Sequence, residues 1–149
     1  MIENLRDAVV AEARRWIGTP YRHNARVRGS GVDCGQLPLA VYAAVGLIPE
    51  LPITHMAPQV HLNTEYTGYL DLVQRHALEI DGNPGVGDFV MFKVARAWHH
   101  GGIVTRWPLV IHANSEAARV IEDDAARTPF ARVLLIDRHP RFFTLPDFA

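Results

Sequence analysis

One cysteine stands among the 149 residues, and this scarcity excludes several classes of protein. A single cysteine cannot form a disulfide within the chain, and it rules out a zinc site built from several cysteines. Long apolar runs are also missing, since none reaches the roughly 18 residues that a membrane-spanning helix requires, and we expect no membrane insertion. The formal net charge is only -1, which gives no basic surface for nucleic acid.

The N-terminal segment lacks the features of a secretory signal, because acidic and basic residues interrupt its apolar positions. We therefore expect synthesis in a reducing cytoplasm without an export signal. The hydrophobic fraction of 48% and the charged fraction of 21% are typical of a globular protein. At this length the composition predicts one domain, over residues 1 to 149.

Three helices are predicted in the first half of the chain. Residues 4 to 17 have apolar side chains at helical spacing, with Asn4 as the N-cap. A second helix is expected to begin at Asp33 or Cys34 and to end near Val45, where Gly46 provides a stop. A third is expected over residues 68 to 78. The segments between them, residues 18 to 32 and 47 to 68, are interpreted as a loop and as a surface excursion.

Short apolar runs in the second half predict strands. They are rich in valine and isoleucine and are bounded by glycine, proline or charged residues. Helices followed by an antiparallel meander indicate an α+β fold. The predicted strands are residues 89 to 94, 101 to 107, 109 to 113, 118 to 122 and 132 to 137.

Cys34 follows Asp33 at the start of the second predicted helix, and its role has two interpretations. If Asp33 caps the helix, the unpaired N–H groups and the positive end of the helix dipole favour a thiolate, which is the nucleophilic form. Alternatively, Cys34 is a buried and inert core residue, as free cysteines often are, and Asp33 is only a cap. The local sequence leaves both interpretations open.

A cysteine nucleophile needs a base, and two histidines are placed to supply and orient one. His100 begins a predicted strand beside two glycines that would let a substrate backbone approach, and His112 lies 12 residues later in the next strand. A hairpin turn at residues 106 to 108 would bring the two together. His99 faces the other side of the strand from His100. The spacing of these histidines does not put two metal ligands on one face, so we expect no metal site. We also expect no cofactor.

Five segments, taken in order, resemble the NlpC-type cell-wall cysteine peptidases, which have a papain-like core. The resemblance extends from about Leu5 to Ala113, and each segment is weak alone. The segments are WIGTPYRHNARVRGSGVDC, DCGQLPLAVYAAVGL, GDFVMF, HGGIV and IHA.

The resemblance implies roles by position. Cys34 would be the nucleophile, His100 the general base and His112 the residue that orients His100. Tyr21 would donate a hydroxyl near the oxyanion, while Asp33 would cap the helix and contact a substrate amine. The implied fold packs N-terminal helices on a central antiparallel sheet, with the nucleophile at a helix N-terminus. The implied substrate is a peptidoglycan stem peptide, commonly cut between D-glutamate and a diamino acid.

The short form, which opens with WIGTPYRH and carries no wall-binding module, resembles family members encoded by phages and gene-transfer particles among their tail genes. This implies a location in a particle tail and other tail-tip proteins as partners. Delivery by the particle would bring the protein to the cell wall without a signal sequence.

Three features depart from the family pattern, and one of them is the proline-rich excursion at residues 47 to 68, which could be a lid or a docking surface. Gln36 puts a long polar side chain beside the nucleophile, where it would contact substrate, and Pro38 removes one helical hydrogen bond and crowds the Cys34 carbonyl. These two residues keep a second hypothesis open, a structural tail-tip subunit with weak or no activity. A lipid-directed acyltransferase of the related permuted group ranks lowest, because those proteins place the histidine before the cysteine.

Overall fold

The computed structural model describes residues 4 to 53, 68 to 94, 97 to 127 and 139 to 148. Within these residues the structure has three α-helices and eight strands, and the three helices and the meander that follows them have the order predicted from the sequence. The helices are α1 (Leu5–Arg15), α2 (Gln36–Val45) and α3 (Gly68–His76). The strands are β1 (Arg26–Val27), β2 (Gly31–Val32), β3 (Leu78–Ile80), β4 (Phe89–Val94), β5 (Ala97–Arg106), β6 (Leu109–Asn114), β7 (Arg119–Asp124) and β8 (Arg141–Thr144), and a 3-10 helix at Pro146–Phe148 follows.

Helix α1 begins where its predicted cap places it. The side chain of Asn4 accepts a hydrogen bond from the backbone N–H of Asp7 at 3.0 Å. Asp7 lies in the first turn and Arg14 in the last, and both charges are favourable for the helix dipole. The helix ends at Arg15, two residues before the predicted end.

Helix α2 begins two or three residues later than expected. Its first residue is Gln36, so Cys34 lies in the turn that precedes the helix. The far end agrees with the sequence, since Gly46 has a φ of 87° and occupies the left-handed conformation that often ends a helix. Helix α3 ends at His76, and Leu78, its predicted last residue, begins β3 instead.

Six strands form one antiparallel sheet in the order β3-β8-β4-β5-β6-β7. The meander β4 to β7 confirms four of the predicted strands, with Ile103 of β5 opposite Ile111 of β6 and His112 of β6 opposite Ile121 of β7. Strands β3 and β8 were not predicted, and neither was the β1–β2 hairpin inside the supposed loop. The predicted strand at residues 132 to 137 and most of the 47 to 68 excursion lie outside the described residues.

Apolar side chains cover both faces of the sheet. The larger cluster joins the sheet to the helices and includes Val9 of α1, Leu37 and Val41 of α2, and Ile103 and Ile111 of the sheet. The smaller cluster is formed by Val90, Phe92, Val104 and Val110. Among the described residues, no helix is both long enough and apolar enough to cross a membrane.

Candidate active site

Asp33 organises the turn that carries Cys34. Its Oδ1 accepts hydrogen bonds from the backbone N–H groups of Gly35 at 3.1 Å and Gln36 at 2.8 Å. Its Oδ2 accepts one from the N–H of Asn24 at 2.7 Å. The predicted cap is therefore present, and the same carboxylate also ties the turn to the preceding loop. Contact of Asp33 with a substrate amine stays a prediction.

Burial controls the pKa of the Cys34 thiol. Only 8% of the residue is exposed, and burial, with a smaller contribution from the Asp33 carboxylate, raises the pKa of Cys34 to about 12. Hydrogen bonds from the Tyr21 hydroxyl and from the N–H groups of Cys34 and Gly35 act in the opposite direction but do not compensate. Of the two influences that the sequence left open, burial outweighs the donors at the helix N-terminus.

Tyr21 lies beside the nucleophile position. Its hydroxyl donates to Cys34 Sγ at 3.9 Å, a distance at which sulfur still accepts a weak hydrogen bond. The backbone of Tyr21 pairs with Val32, directly before the Asp33–Cys34 turn, and its N–H donates to the carbonyl of Ala118 at 2.9 Å. These backbone bonds fix the tyrosine between the Cys34 turn and the start of β7.

The two histidines meet as the hairpin spacing predicted. His100 Nε2 lies 2.9 Å from His112 Nδ1 in a buried contact. His100 is 3% exposed and His112 is 1% exposed, and their rings are perpendicular. Burial lowers the pKa of His112 to about 4, although the Asp123 carboxylate opposes this shift. His112 is therefore neutral near pH 7, and one of its ring nitrogens is a hydrogen-bond acceptor.

Cys34, Tyr21 and the histidine pair belong to the same end of the sheet. Tyr21 is bonded to Ala118, which directly precedes β7. Asn114, the last residue of β6, pairs with Arg119, the first of β7, so β6 ends where β7 begins. Strand β5 is antiparallel to β6 and therefore starts at this end, where it carries His100. Helix α2 also packs against β5.

The two glycines after His100 do not leave room for a substrate. A side chain at Gly101 would overlap the ring of Phe89. A Cβ at Gly102 would lie 3.2 Å from the carbonyl oxygen of Ile111 and 3.3 Å from Cβ of His112. Both glycines are buried, and they admit the protein's own side chains. Gly102 in particular lets β5 and β6 approach closely enough for the histidine pair.

The two residues that depart from the family pattern both have a place in the structure. Gln36 is buried, and its Oε1 accepts a hydrogen bond from Arg26 at 3.1 Å, while Arg26 also donates to the carbonyl of Leu51. Pro38 is the third residue of α2 and has no N–H to donate. The N–H of Leu37 donates to the carbonyl of Asp33 at 3.1 Å, so the proline removes the next helical bond, the one to the carbonyl of Cys34. Contact of Gln36 with substrate stays a prediction.

Two residues of the site were missed in the sequence. Tyr69 of α3 donates its hydroxyl to the carbonyl of Gly35 at 2.8 Å, and its ring packs on that glycine. Asp123 of β7 has Oδ2 4.0 Å from His112 Nε2, on the side of the ring away from His100. Alternation along β7 could have singled out Asp123, since it shares a face with Ile121, the partner of His112. In the part of the chain that the structure describes, no cluster of three or more His, Cys, Asp or Glu side chains is placed to hold a metal ion.

No protein-family model and no curated protein matches the chain. Solved structures do match it. The NlpC/p60 domain of the peptidoglycan hydrolase SagA aligns with a TM-score of 0.59 and 21% identity, over 93% of this chain and 97% of that one. NlpC2 from Trichomonas vaginalis aligns with a TM-score of 0.64 and 16% identity, over 97% of this chain and 50% of that one. The peptidoglycan hydrolase RipB from Mycobacterium tuberculosis aligns with a TM-score of 0.61 and 14% identity, over 94% of this chain and 63% of that one.

These likenesses show the fold. The chain has the α+β, papain-like architecture of NlpC/p60 domains, as the sequence resemblance implied. It spans nearly all of the SagA domain but only about half of the Trichomonas protein.

Proposed function

We propose that this protein is a cysteine peptidase that hydrolyses amide bonds in the stem peptides of peptidoglycan. The observation that carries the proposal is the buried contact of 2.9 Å between His100 Nε2 and His112 Nδ1. It lies at the end of the sheet to which Tyr21 and Cys34 also belong. A nucleophile, a base and a residue that orients the base are the three parts that such chemistry requires.

The direction of proton transfer follows from the histidine contact. His112 contacts Nε2 of His100, so we assign the proton transfer with Cys34 to Nδ1 of His100. The pKa of Cys34 is about 12, so the resting thiol is protonated at neutral pH and must lose its proton to His100 as it attacks. The base is therefore needed in the attack itself.

Hydrolysis then proceeds in two steps. The sulfur of Cys34 bonds to the amide carbon, and His100 gives the proton it has taken to the leaving amine, which departs and leaves a thioester. Water attacks the thioester carbon while His100 takes one of its protons. The C–S bond then breaks, the acid product leaves, and the proton returns to the thiol. The hydroxyl of Tyr21, 3.9 Å from the sulfur, is a donor available for the developing oxyanion.

The substrate class and the setting rest on likeness rather than on the site. The SagA domain and RipB are described as peptidoglycan hydrolases, which supports stem peptides as the substrate. We extend the proposal to bonds between D-glutamate and a diamino acid. We also propose that the protein acts in the tail tip of a phage or gene-transfer particle, with other tail proteins as partners. The bond rests on the sequence resemblance to the NlpC-type family, and the setting rests on the resemblance of the short form with the segment WIGTPYRH to the phage and gene-transfer-particle members.

Purified protein and its Cys34→Ala variant, incubated with peptidoglycan fragments, test the proposal. We expect mass spectrometry to show new amine-terminated stem peptides with the unmodified protein and a loss of at least about 1,000-fold in the variant, because removal of a nucleophile leaves only binding and electrostatic effects. Tyr21→Phe, which removes one hydroxyl, should retain measurable activity. Melting curves check that both variants fold.

Absence of any new amine terminus with the unmodified protein would contradict the peptidase proposal. That outcome would favour a structural tail-tip subunit that retains the fold. Cleavage that persists in Cys34→Ala would assign the activity to another residue or to a contaminant.

A further inference from the structure

A buried carboxylate stands behind the histidine pair. Asp123 is 8% exposed, and its Oδ2 lies 4.0 Å from Nε2 of His112. The other nitrogen of that ring, Nδ1, faces His100. His112 is therefore placed between an acidic group and the base, with one ring nitrogen toward each.

The sheet register fixes this arrangement. Asp123 is opposite Val110 in the β6–β7 pairing, while His112 is opposite Ile121. Residues that are opposite each other or two apart share a face, so His112 and Asp123 are diagonal neighbours on the same face. The side chains of diagonal neighbours can approach each other when one of them carries a ring, as His112 does with Asp123.

The carboxylate itself is held in place. Oδ1 of Asp123 accepts hydrogen bonds from the backbone N–H of Asp124, at 2.8 Å, and from the guanidinium of Arg127. With Oδ1 occupied, Oδ2 is the atom directed to His112. The neighbouring carboxylate of Asp124 has a different role, since it accepts from the N–H of Ala126.

We propose that Asp123 is a positioning residue that holds His112 in the tautomer with its proton on Nε2. A carboxylate near Nε2 favours an N–H at that nitrogen, because the positive end of the N–H dipole then points at the negative charge. Nδ1 of His112 is then an acceptor, and it can bind only an N–H on Nε2 of His100. His100 in turn carries its lone pair on Nδ1, where it can take the proton of Cys34.

The opposite tautomer would disable the base. With the proton of His112 on Nδ1, Nε2 of His100 would have to accept, and the proton of neutral His100 would sit on Nδ1. That nitrogen could no longer take a proton from the thiol. The distance of 4.0 Å exceeds a direct hydrogen bond, so Asp123 acts through its charge, or through a bridging water, rather than as a third link in direct contact.

This inference rests on the proposed function, and its test has a readout that needs no substrate. Nitrogen-15 NMR of the histidine rings in the resting protein reports the tautomer directly. We expect the proton of His112 on Nε2 in the unmodified protein and a shift toward Nδ1–H in Asp123→Asn and Asp123→Leu. Asp124→Asn, one residue away, is the matched control and should keep the native tautomer.

Kinetics provide the second readout. We expect kcat of Asp123→Asn to fall by about 10- to 100-fold, the effect typical of residues that orient a ligand or base, while KM changes less than about twofold. Asp124→Asn should match the unmodified protein, and Asp123→Glu should recover part of the lost rate. Unfolding curves show whether each variant is folded.

The proposal is overturned if His112 of the unmodified protein carries its proton on Nδ1, a result that requires no variant to fold. It is also overturned if Asp123→Asn keeps both the His112 tautomer and the kcat of the unmodified protein. A fall of kcat in Asp124→Asn as large as that in Asp123→Asn would overturn it as well. A tautomer that shifts as expected in a protein without hydrolytic activity would sustain the positioning role of Asp123 and would contradict only the proposed reaction.

Discussion

At the scale of single residues, Cys34 is subject to two opposing influences. Tyr21 and two backbone N–H groups stabilise a thiolate, whereas burial and Asp33 destabilise it, and the pKa of about 12 shows that the second pair prevails. A thiol in this state is a poor nucleophile until a base removes its proton. The residue is therefore suited to a reaction in which proton transfer accompanies attack.

The pH dependence of alkylation tests this state of the thiol. Because the raised pKa keeps the thiol protonated, we expect the rate of Cys34 modification by iodoacetamide to be low at pH 7 and still rising at pH 10. Tyr21→Phe should slow the reaction further, since the hydroxyl is a donor to the thiolate. A plateau below the free-thiol value of about 8.5 would show a preformed thiolate and contradict this expectation.

At the scale of secondary-structure elements, two helices have side-chain caps with different consequences. Asn4 caps α1 through one exposed bond to Asp7. Asp33 caps the start of α2 through two bonds and holds Asn24 through a third. Only the second cap shapes the turn that contains Cys34. Substitution of each capping residue therefore separates the effect of a lost helix cap from the effect of a displaced Cys34 turn.

We expect Asp33→Ala to lower the free energy of unfolding by about 2 kcal/mol or more, because several N–H groups lose a charged acceptor. Asn4→Ala, the matched control, should cost about 1 kcal/mol. Peptidase activity should fall steeply in Asp33→Ala and stay near normal in Asn4→Ala. Urea unfolding and product analysis measure the two effects. Equal activity in both variants would show that the Asp33 bonds do not position Cys34.

Elements with a regular apolar pattern could be predicted from the sequence, and elements made by pairing could not. The strand of residues 89 to 94 has its predicted bounds, and the Asn4 cap lies at the predicted residue. Strands β1 and β2 have two residues each, too few for any period, and exist because Arg26 pairs with Val32 across a short turn. Strand β8, Arg141–Thr144, is likewise defined by its position between β3 and β4.

The candidate site also combines features that the sequence could predict with features that it could not. The spacing between His100 and His112 predicted their contact, since a hairpin brings two such positions together. Asp123 was missed because its role depends on which face of β7 it occupies and on the register with β6. The state of Cys34 could not be decided from the sequence, because burial depends on packing by distant residues, which the local sequence does not contain.

At the scale of the whole molecule, the antiparallel meander gathers residues from far apart in the chain. Tyr21 reaches the start of β7 through its bond to Ala118, and β5 and β6 bring the two histidines together at the same end of the sheet. This arrangement buries two titratable side chains, His100 and His112, in the interior. His112, at 1% exposed, must stay neutral, and this requirement couples the stability of the fold to pH.

The sign of that coupling follows from the pKa of His112, which falls from 6.5 to about 4 on folding. Between these values the unfolded chain binds a proton at this residue and the folded protein does not, so acid favours unfolding. The contribution is fully present above pH 6.5 and is lost as the pH falls toward 4. A shift of this size corresponds to about 3 kcal/mol.

We therefore expect the free energy of unfolding to fall between pH 6.5 and pH 4 by about 3 kcal/mol more in the unmodified protein than in His112→Asn, whose side chain keeps an acceptor but does not titrate. Urea unfolding at half-unit steps of pH measures the two curves. Parallel curves for the unmodified protein and His112→Asn would show that burial does not keep His112 neutral. That result would also contradict the role of His112 as the neutral acceptor that orients His100.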